Sequence, residues 1–405
     1  MKYLMLIGDG MGDHPLPELG NRTPLQAART PAMDRLCRKS ALLEVTTVPE
    51  GFHPGSDVAN MSLLGYDPAR YYTGRAPLEA ASMNIALSDD ETAYRCNLVT
   101  LEHQNGRTTM VDFSAGHISS EESSVLIQDI EQACGDENFR FHPGISYRHL
   151  LVVRDLIPDI SAAPPHDYIG KDISQPYQKY LNSPHWSSLV LKAQHILDQH
   201  PVNRRRRERQ LHPATSIWPW GCGKMPSLPH LKTRYEIIGT MISAVDLLNG
   251  LGVCAGLGIA SVEGATGYID TNYEGKARAA LDALKHGDFV YVHLEAPDEA
   301  GHQGRLDHKI QAIEDFDSRI VAALTDELDR LGEPYRVIVT MDHFTPLTLQ
   351  THTAEPVPAV LYDSVNPQPD SGLSFDETLL GSAHVIRRVP GHQLINELLQ
   401  KDPTP

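Results

Sequence analysis

Short apolar segments alternate along the chain with stretches whose apolar residues recur at helical spacing, a pattern that predicts an α/β protein. Residues 2–8 (KYLMLIG), 288–294 and 336–341 are the clearest predicted strands. A further strand is predicted at 358–362 (PAVLY), and residues 308–331 carry apolar side chains at helical spacing. Strands alternating with helices favour a mostly parallel sheet.

An aspartate stands at or shortly after the end of each of the three clearest strands: Asp9, Asp298 and Asp342. Ligands of open parallel sheets bind beyond the carboxyl ends of the strands. We therefore expect these three carboxylates, which are far apart in sequence, to meet in one crevice.

The fold class that follows is α/β: a doubly wound, mostly parallel sheet with a small inserted α+β domain. The insertion is predicted at 114–171, so that 1–113 and 172–405 form a discontinuous core. Residues 200–230 are rich in Pro, Gly and Arg and are predicted to form a long loop.

Composition narrows the range of partners. The 405 residues carry 35 basic and 52 acidic side chains, a formal net charge of −17. This charge disfavours nucleic acid or an anionic membrane surface as the main partner. No run approaches the roughly 20 apolar residues of a membrane span, and the 5 scattered cysteines predict reduced thiols in a cytoplasmic protein.

Two short motifs place imidazoles beside the strand-end aspartates. Asp298 and His302 are four residues apart, so on a helical turn they share one face and can grip one metal ion. Asp342 and His343 are adjacent, which suits a turn after a strand. Each motif alone is common and is more often an unrelated pair of loop residues.

Taken together, these residues predict a metal centre. His352 lies nine residues beyond His343 and just before the next predicted strand. The combined set supplies enough ligands for two divalent cations, which can clamp a transferring phosphoryl group. The candidate ligands are Asp9, Asp298, His302, Asp342, His343 and His352.

Ser56 is the candidate nucleophile. It lies in the segment PGSDVANMSLLG, which predicts a turn at the start of a helix. Backbone N–H groups at such a position favour phosphate. The alternative role, a serine that only caps the helix, is the commoner one.

These residues, in the order DG…GSD…DxxxH…DH…H, resemble the alkaline phosphatase superfamily. Longer segments are similar to the cofactor-independent phosphoglycerate mutases of the archaeal type, and the similarity covers nearly the whole chain. They include LIGDGMGD, PGSDVANMSLLGYDP, YYTGRAPLEAAS, GATGYIDTNYEGKA, EAPDEAGH and THTAEPVP. Other segments, such as DFSAGHIS and SIWPWGCGK, resemble a bacterial branch proposed to replace homoserine kinase.

The resemblance implies a role for each candidate. Ser56 would accept and return the phosphoryl group. One metal would be held by Asp9, Ser56, Asp342 and His343, and the other by Asp298, His302 and His352. Oxygen and nitrogen ligands without thiolate suit Mn, Mg or Zn. Neither 2,3-bisphosphoglycerate nor a nucleotide is expected as a cofactor.

In the mutase interpretation, 3-phosphoglycerate gives its phosphoryl group to Ser56, and the bound glycerate reorients and takes it back on its other hydroxyl. The insertion would close over the core and shield the phosphoserine from water. The general base is left open between Asp57 and Asp112. Candidates for holding this small phosphorylated acid are Arg75, Arg95, His117, Arg148 and Lys224, each of which could equally form an ordinary ion pair.

Three rival functions remain open. The first is a homoserine phosphotransferase with an unidentified donor; no GxxxxGK[ST] pattern supports a P-loop ATP site. The second is a phosphomonoesterase or phosphodiesterase that uses the same metals. The third, a non-catalytic binding module, leaves the complete ligand set unexplained. The metal's identity and the oligomeric state are also open.

Overall fold

The computed structural model describes residues 1–155, 160, 162–385 and 387–401. Residues 156–159, 161, 386 and 402–405 lie outside the description. The chain divides into two compact units. We call Met1–Tyr72 with Ser227–Pro405 the core unit, and Thr73–Pro226 the inserted unit. Within the described ranges, no helix combines the length and the apolar character needed to cross a bilayer.

The secondary structure follows the predicted alternation. The strands of the described residues are β1 (Lys2–Gly8), β2 (Ala41–Thr46), β3 (Glu91–Gln104), β4 (Arg107–Asp112), β5 (Phe139–His142), β6 (Arg148–Arg154), β7 (Ser216–Gly223), β8 (Gly239–Ile242), β9 (Gly258–Ile259), β10 (Phe289–Leu294), β11 (Tyr335–Thr340), β12 (Val357–Asp363) and β13 (Arg387–Pro390). The helices are α1 (Pro24–Ala27), α2 (Pro31–Arg38), α3 (Ser56–Leu63), α4 (Pro68–Tyr71), α5 (Ala76–Ser82), α6 (Ser120–Cys134), α7 (Ser174–Leu181), α8 (Pro184–Gln199), α9 (Pro201–Glu208), α10 (Leu231–Tyr235), α11 (Asp246–Cys254), α12 (Tyr273–Leu284), α13 (Ala296–His302), α14 (Leu306–Phe316), α15 (Ala323–Leu331) and α16 (Leu394–Leu399).

The core unit is built on one sheet, whose described strands lie in the order β13-β2-β12-β11-β1-β10-β8-β9. Strand β12 runs antiparallel to both of its neighbours, and the other pairings are parallel. This arrangement confirms the predicted α/β class with a mostly parallel sheet.

Strand β1 lies at the centre, paired in parallel with β10 on one side and β11 on the other. Every residue of β10 and β11 is buried, as are the last five of β1. Burial on both faces explains why these strands read as continuous apolar runs instead of alternating patterns. Gly8 pairs with Leu294, and Ile7 pairs with Thr340, so the three strands end at nearly the same level.

The helical pattern predicted over residues 308–331 is interrupted by a π-helical segment, Asp317–Ala322, between α14 and α15. The carboxylate of Asp317 is buried and accepts hydrogen bonds from the backbone N–H groups of Ala32 (3.2 Å) and Met33 (2.7 Å). It thereby satisfies the free N–H groups at the start of α2.

The inserted unit contains an antiparallel sheet in the order β4-β3-β6-β5, with β7 also paired to β3. Strand β3 is 14 residues long and pairs with β4, β6 and β7. Helices α6 and α8 pack beside this sheet around an aromatic core. Trp186 and Trp218 are fully buried in that core, each with its ring within 5.3 Å of a tyrosine ring.

The predicted insertion, 114–171, encloses only part of this unit, mainly α6, β5 and β6. These elements cannot be separated from β3 and β7, because β6 and β7 both pair with β3. The predicted loop at 200–230 is also wrong, since it contains α9 and β7.

The two ends of the inserted unit lie side by side. Thr73 Oγ1 donates a hydrogen bond to the carbonyl oxygen of Lys224 (2.6 Å). A Cβ on Gly74 would lie 2.2 Å from the carbonyl oxygen of Cys222, and Gly74 also has a φ of +128°. Glycine is therefore required where the entering and leaving chains touch.

Candidate metal centre

The carboxyl end of the central strands brings the three predicted aspartates together. Asp9 follows β1 directly, Asp298 lies in the first turn of α13 after β10, and Asp342 is the second residue after β11. Gly10 N–H donates to Asp342 Oδ1 (3.1 Å), which connects the chain after β1 to the chain after β11. The expectation that these carboxylates share one crevice is confirmed.

The first group of potential ligands consists of Asp9, Asp342 and His343, whose ligand atoms all lie within 4.8 Å of one another. His343 Nε2 lies 3.5 Å from Asp9 Oδ1 and 3.4 Å from Asp342 Oδ2. Ser56 Oγ lies 3.4 Å from the same nitrogen. Ser56 is the first residue of α3, as the sequence predicted.

The second group surrounds Asp298. His302 Nε2 lies 3.2 Å from Asp298 Oδ2, and His352 Nε2 lies 3.4 Å from Asp298 Oδ1. The two Nε2 atoms are 2.8 Å apart. His343 also belongs here, since its ring centroid lies 4.1 Å from that of His352. The structure thus brings together all seven predicted residues, whereas their role as ligands stays a prediction.

The outer ring nitrogens of these histidines face groups that orient the rings. His302 Nδ1 lies 3.0 Å from the carbonyl oxygen of Gln350, and His352 Nδ1 lies 3.3 Å from that of Pro54. A carbonyl oxygen only accepts, so each Nδ1 carries a proton in these contacts, which fixes the ring and leaves Nε2 facing inward. Metal-binding histidines are typically fixed in this way.

Asn60 joins the candidate nucleophile to the first group. Its Nδ2 donates to the backbone oxygen of Ser56 (2.8 Å) and to Asp342 Oδ2 (2.8 Å). Its Oδ1 accepts from the hydroxyl of Tyr291 (2.5 Å). The sequence analysis did not single out Asn60. Its position four residues after Ser56 places both side chains on one face of a helix, and this spacing could have identified it.

Thr345 was also missed. Its hydroxyl donates to Asp298 Oδ1 and lies 3.3 Å from His343 Nδ1. It therefore contacts a residue of each ligand group. Its place two residues after His343 in the sequence could have suggested this role.

The buried negative charge of the centre favours bound cations. Burial raises the pKa of Asp9 well above its ordinary value, and the charges of Asp342 and Asp298 raise it further. Both carboxylate oxygens of Asp9 are buried and lack a hydrogen-bond partner among the described residues. Orphaned oxygens beside inward-facing imidazole nitrogens fit divalent metal ions, and this donor set is compatible with Mn, Mg or Zn.

A buried lysine supports the loops that carry the ligands. Lys309 Nζ donates to Asp13 Oδ2 (2.8 Å) and to the carbonyl oxygens of Gly12 (3.1 Å) and Thr345 (2.8 Å). Asp13 in turn accepts from the backbone N–H of Leu347 (3.1 Å). The ion pair is buried on both sides. It joins the segment after β1 to the segment after β11.

Comparison with known proteins identifies the family. The family profile described as 2,3-bisphosphoglycerate-independent phosphoglycerate mutase matches residues 38–203. A protein of that name from Methanosarcina barkeri is 52% identical over 378 residues, which cover 93% of this chain and 94% of the relative. The chain belongs to the 2,3-bisphosphoglycerate-independent phosphoglycerate mutases. The resemblance found in the sequence is thereby confirmed.

Three other proteins, two of them named as mutases, match over nearly the whole length. A Geobacter sulfurreducens protein named as a probable mutase of this kind is 48% identical over 401 residues, 99% of this chain and 100% of the relative. The solved cofactor-independent phosphoglycerate mutase from Thermoplasma acidophilum shares 26% identity with a TM-score of 0.64, covering 99% of both chains. A Pyrococcus horikoshii protein reaches a TM-score of 0.81 at 27% identity, covering 99% of this chain and 98% of that one.

The predicted substrate-binding residues of this mutase family member all lie in the inserted unit. Arg95 is largely buried, with its Nε 3.1 Å from Glu79 Oε2 and its guanidinium over the ring of Trp220 at 4.3 Å. Burial lowers the pKa of Arg95 to about 10; the charge of Glu79 raises it, and the charges of Arg75 and Arg148 lower it. Glu79 Oε1 also lies 3.4 Å from Arg75 Nε, so Arg75 and Arg95 share one carboxylate and the ordinary ion pair weighed for them is present.

The other two candidates differ from each other. His117 is exposed, and its ring centroid lies 6.1 Å from that of Tyr147, which also contacts Arg148. Lys224 donates to Asp155 Oδ2 (2.5 Å) and to the carbonyl oxygen of Asp89 (2.6 Å). The ordinary ion pair weighed for Lys224 is thus present.

Replacing Lys309 with methionine is expected to destabilise the protein by about 3–5 kcal/mol, because the carboxylate of Asp13 is left buried without its partner. Urea unfolding in the presence of EDTA measures this without a contribution from bound metal. Lys285→Met is the matched control, since Lys285 is exposed and paired with an exposed aspartate. A loss at Lys309 no larger than that of the control contradicts the supporting role.

Asp342→Asn keeps the size of the side chain but removes the charge that the first group offers to a cation. We expect metal affinity to fall by more than the roughly 10–100-fold typical of losing an outer-shell partner, and the turnover rate to fall with it. Elemental analysis after dialysis against Mn²⁺ measures the metal content. Asp326→Asn, at an exposed ion pair, is the control; full occupancy and full rate in Asp342→Asn would remove Asp342 from the ligand set.

Proposed function

We propose that this protein interconverts 3- and 2-phosphoglycerate by moving a phosphoryl group through a phosphoserine at Ser56. The observation that carries the proposal is the position of Ser56 Oγ, 3.4 Å from His343 Nε2 at the edge of the two ligand groups. Relatives at 48–52% identity that carry the mutase name support the choice of substrate.

The residues around Ser56 suit a nucleophile. The hydroxyl stands at the first position of α3, where N–H groups without an intrahelical partner favour an anionic phosphoryl group. Asn60 holds the backbone of Ser56 and the carboxylate of Asp342 at once, so the nucleophile and the metal group keep a fixed separation. Divalent ions bound here would lower the pKa of the hydroxyl and offset the charge on the transferring group.

In the first half-reaction, Ser56 Oγ forms a bond to phosphorus as the bond between phosphorus and the 3-oxygen of the substrate breaks. In the second, the 2-hydroxyl of glycerate attacks the phosphoserine and Ser56 Oγ leaves. The proton lost by each attacking hydroxyl passes to the leaving oxygen, directly or through a base. The intermediate requires glycerate to stay bound, and Arg75, Arg95 and Arg148 remain the candidates for holding its carboxylate.

The mutase, homoserine phosphotransferase and phosphatase functions differ in the phosphoryl donor and acceptor. Manganese as the physiological metal stays a prediction, as do a cytoplasmic location and homoserine as an alternative acceptor. The general base also stays open between Asp57 and Asp112. Both carboxylates accept local hydrogen bonds, Asp57 from the hydroxyl of Tyr72 (2.6 Å) and Asp112 from that of Ser114 (2.7 Å).

An enolase-coupled assay tests the proposal. We expect Mn-loaded protein to convert 3-phosphoglycerate to 2-phosphoglycerate without added 2,3-bisphosphoglycerate, and EDTA to stop the reaction. Release of inorganic phosphate instead of 2-phosphoglycerate would indicate a phosphatase. Absence of turnover in protein shown to contain metal would contradict the mutase function and redirect the search to homoserine as acceptor.

Ser56→Ala is expected to reduce turnover below detection, since loss of a covalent nucleophile costs on the order of 10⁶ in kcat in a well-studied case. Metal should still bind at the group around Asp298. Ser62→Ala is the matched control on the same helix, because Ser62 Oγ is buried and has no hydrogen-bond partner among the described residues. Substantial activity in Ser56→Ala would rule out the phosphoserine route.

A further inference from the structure

A polar cavity of about 610 Å³ lies in the core unit and is lined by residues of β2, β11, β12, β13 and α16. Within it, Arg336 pairs with Asp363 across β11 and β12, and Leu361 pairs with Ala41 across β12 and β2. Arg336 is the second residue of β11, whereas Asp342 is the second residue after that strand. At the rise of an extended chain, roughly 20 Å separates this cavity from the metal centre.

Arg336 presents unused hydrogen-bond donors to the cavity. The residue is 8% exposed, and its Nε donates to Asp363 Oδ2 (2.8 Å). Neither of its Nη nitrogens has a hydrogen-bond partner in the part of the chain that the structure describes. A guanidinium carries five N–H donors, and two parallel ones match the two oxygens of a carboxylate. The free end of this side chain therefore fits a small planar anion.

Asn396 presents an unused acceptor to the same cavity. It lies on α16 and is 7% exposed, and its Oδ1 is buried without a hydrogen-bond partner among the described residues. Buried amide oxygens nearly always accept a hydrogen bond, and an exception calls for an explanation. Its neighbours on α16, Ile395 and Leu398, are buried apolar side chains. An oxygen kept at this position suits a ligand that brings its own O–H or N–H group.

The charges around the cavity favour a ligand with one negative charge. Glu397 Oε1 accepts from Arg387 Nη1 (2.8 Å), and Asp363 accepts from Arg336, so both lining carboxylates are already paired. A doubly charged phosphate on the guanidinium of Arg336 would meet stronger repulsion from Asp363 than a carboxylate would. In a chain with a net charge of −17, basic side chains outnumber acidic ones in this lining: Arg336, Arg387, Arg388 and Lys401 against Asp363 and Glu397.

We propose that this cavity binds a small carboxylic acid that carries a hydroxyl or ammonium group beside its carboxylate. The carboxylate would accept from the two Nη nitrogens of Arg336, and the neighbouring group would donate to Asn396 Oδ1. The α-hydroxy acids and the α-amino acids share this chemistry. The site is separate from the metal centre and does not depend on the proposed function.

Three acids with the same carbon skeleton test the ligand class. Lactate carries a hydroxyl beside the carboxylate, alanine carries an ammonium group there, and propionate carries neither. Isothermal titration calorimetry of the metal-loaded protein measures the affinity for each, with inorganic phosphate as a fourth probe. We expect lactate or alanine to bind about tenfold more tightly than propionate, because propionate leaves Asn396 Oδ1 unpaired. The tighter of the two identifies the donor group.

Two variants test the residues. Asn396→Leu keeps the size of the side chain and is expected to lower the affinity for lactate or alanine to that for propionate. Its matched control is Asn249→Leu, because Asn249 Oδ1 also lacks a partner among the described residues but lies outside the cavity. Arg336→Lys keeps the charge beside Asp363 but loses the paired donors, so all three acids should bind more weakly. Arg330→Lys, at an ion pair on the surface, is its control.

Circular dichroism identifies which variants are folded, and the comparison of the three acids in the unaltered protein needs no variant. Selective loss of lactate or alanine binding in a folded variant, with binding kept in its control, supports the site. Failure of both acids to bind at millimolar concentrations overturns it, as does equal binding of propionate or tighter binding of phosphate. Affinity retained in both folded variants also overturns it. Mutase turnover of Asn396→Leu is expected to be unchanged, so failure here leaves the proposed function standing.

Discussion

Negative charge buried at the end of β1 is the constraint on which the rest of the centre depends. Parallel pairing with β10 and β11 fixes where Asp9, Asp298 and Asp342 stand. Burial raises the pKa of Asp9 well above its ordinary value, whereas hydrogen bonds from His302 and His352 hold the pKa of Asp298 well below it in spite of burial. At Asp9, a proton or a cation offsets the cost of burying the charge. Because the surrounding imidazoles present Nε2 inward, the arrangement favours metal ions, and occupancy should be coupled to the stability of this region.

In the core unit, the lysine ammonium and the proposed metal ions neutralise different carboxylates. Lys309 is covalently part of the chain and neutralises Asp13 outside the ligand groups, so the segments after β1 and β11 are connected before any metal arrives. The uncharged side chain of Asn60 likewise connects α3 to Asp342, which follows β11. Ligands held in place by such contacts lose little conformational freedom on binding, which favours tight and geometrically selective binding.

The sequence was most informative where one local rule was sufficient. Buried parallel strands read as apolar runs, and the aspartates after them were correctly expected to meet. The four-residue spacing of Asp298 and His302 correctly indicated that their side chains lie side by side. The inserted unit was predicted too small because β3 and β7 pair across more than a hundred intervening residues. The sequence positions of Asn60, Thr345 and Lys309 form no recognisable motif. Their roles depend on hydrogen-bond partners that are far away in sequence and come close only in the folded chain.

The adjacent ends of the inserted unit have an evolutionary consequence. Where the chain enters at Thr73 and leaves near Lys224, a backbone carbonyl and a threonine hydroxyl already touch. A segment whose termini meet can be gained, lost or exchanged between genes while the host chain bridges the same short gap. The core sheet with its candidate metal ligands could therefore be kept while this segment is exchanged as a single module.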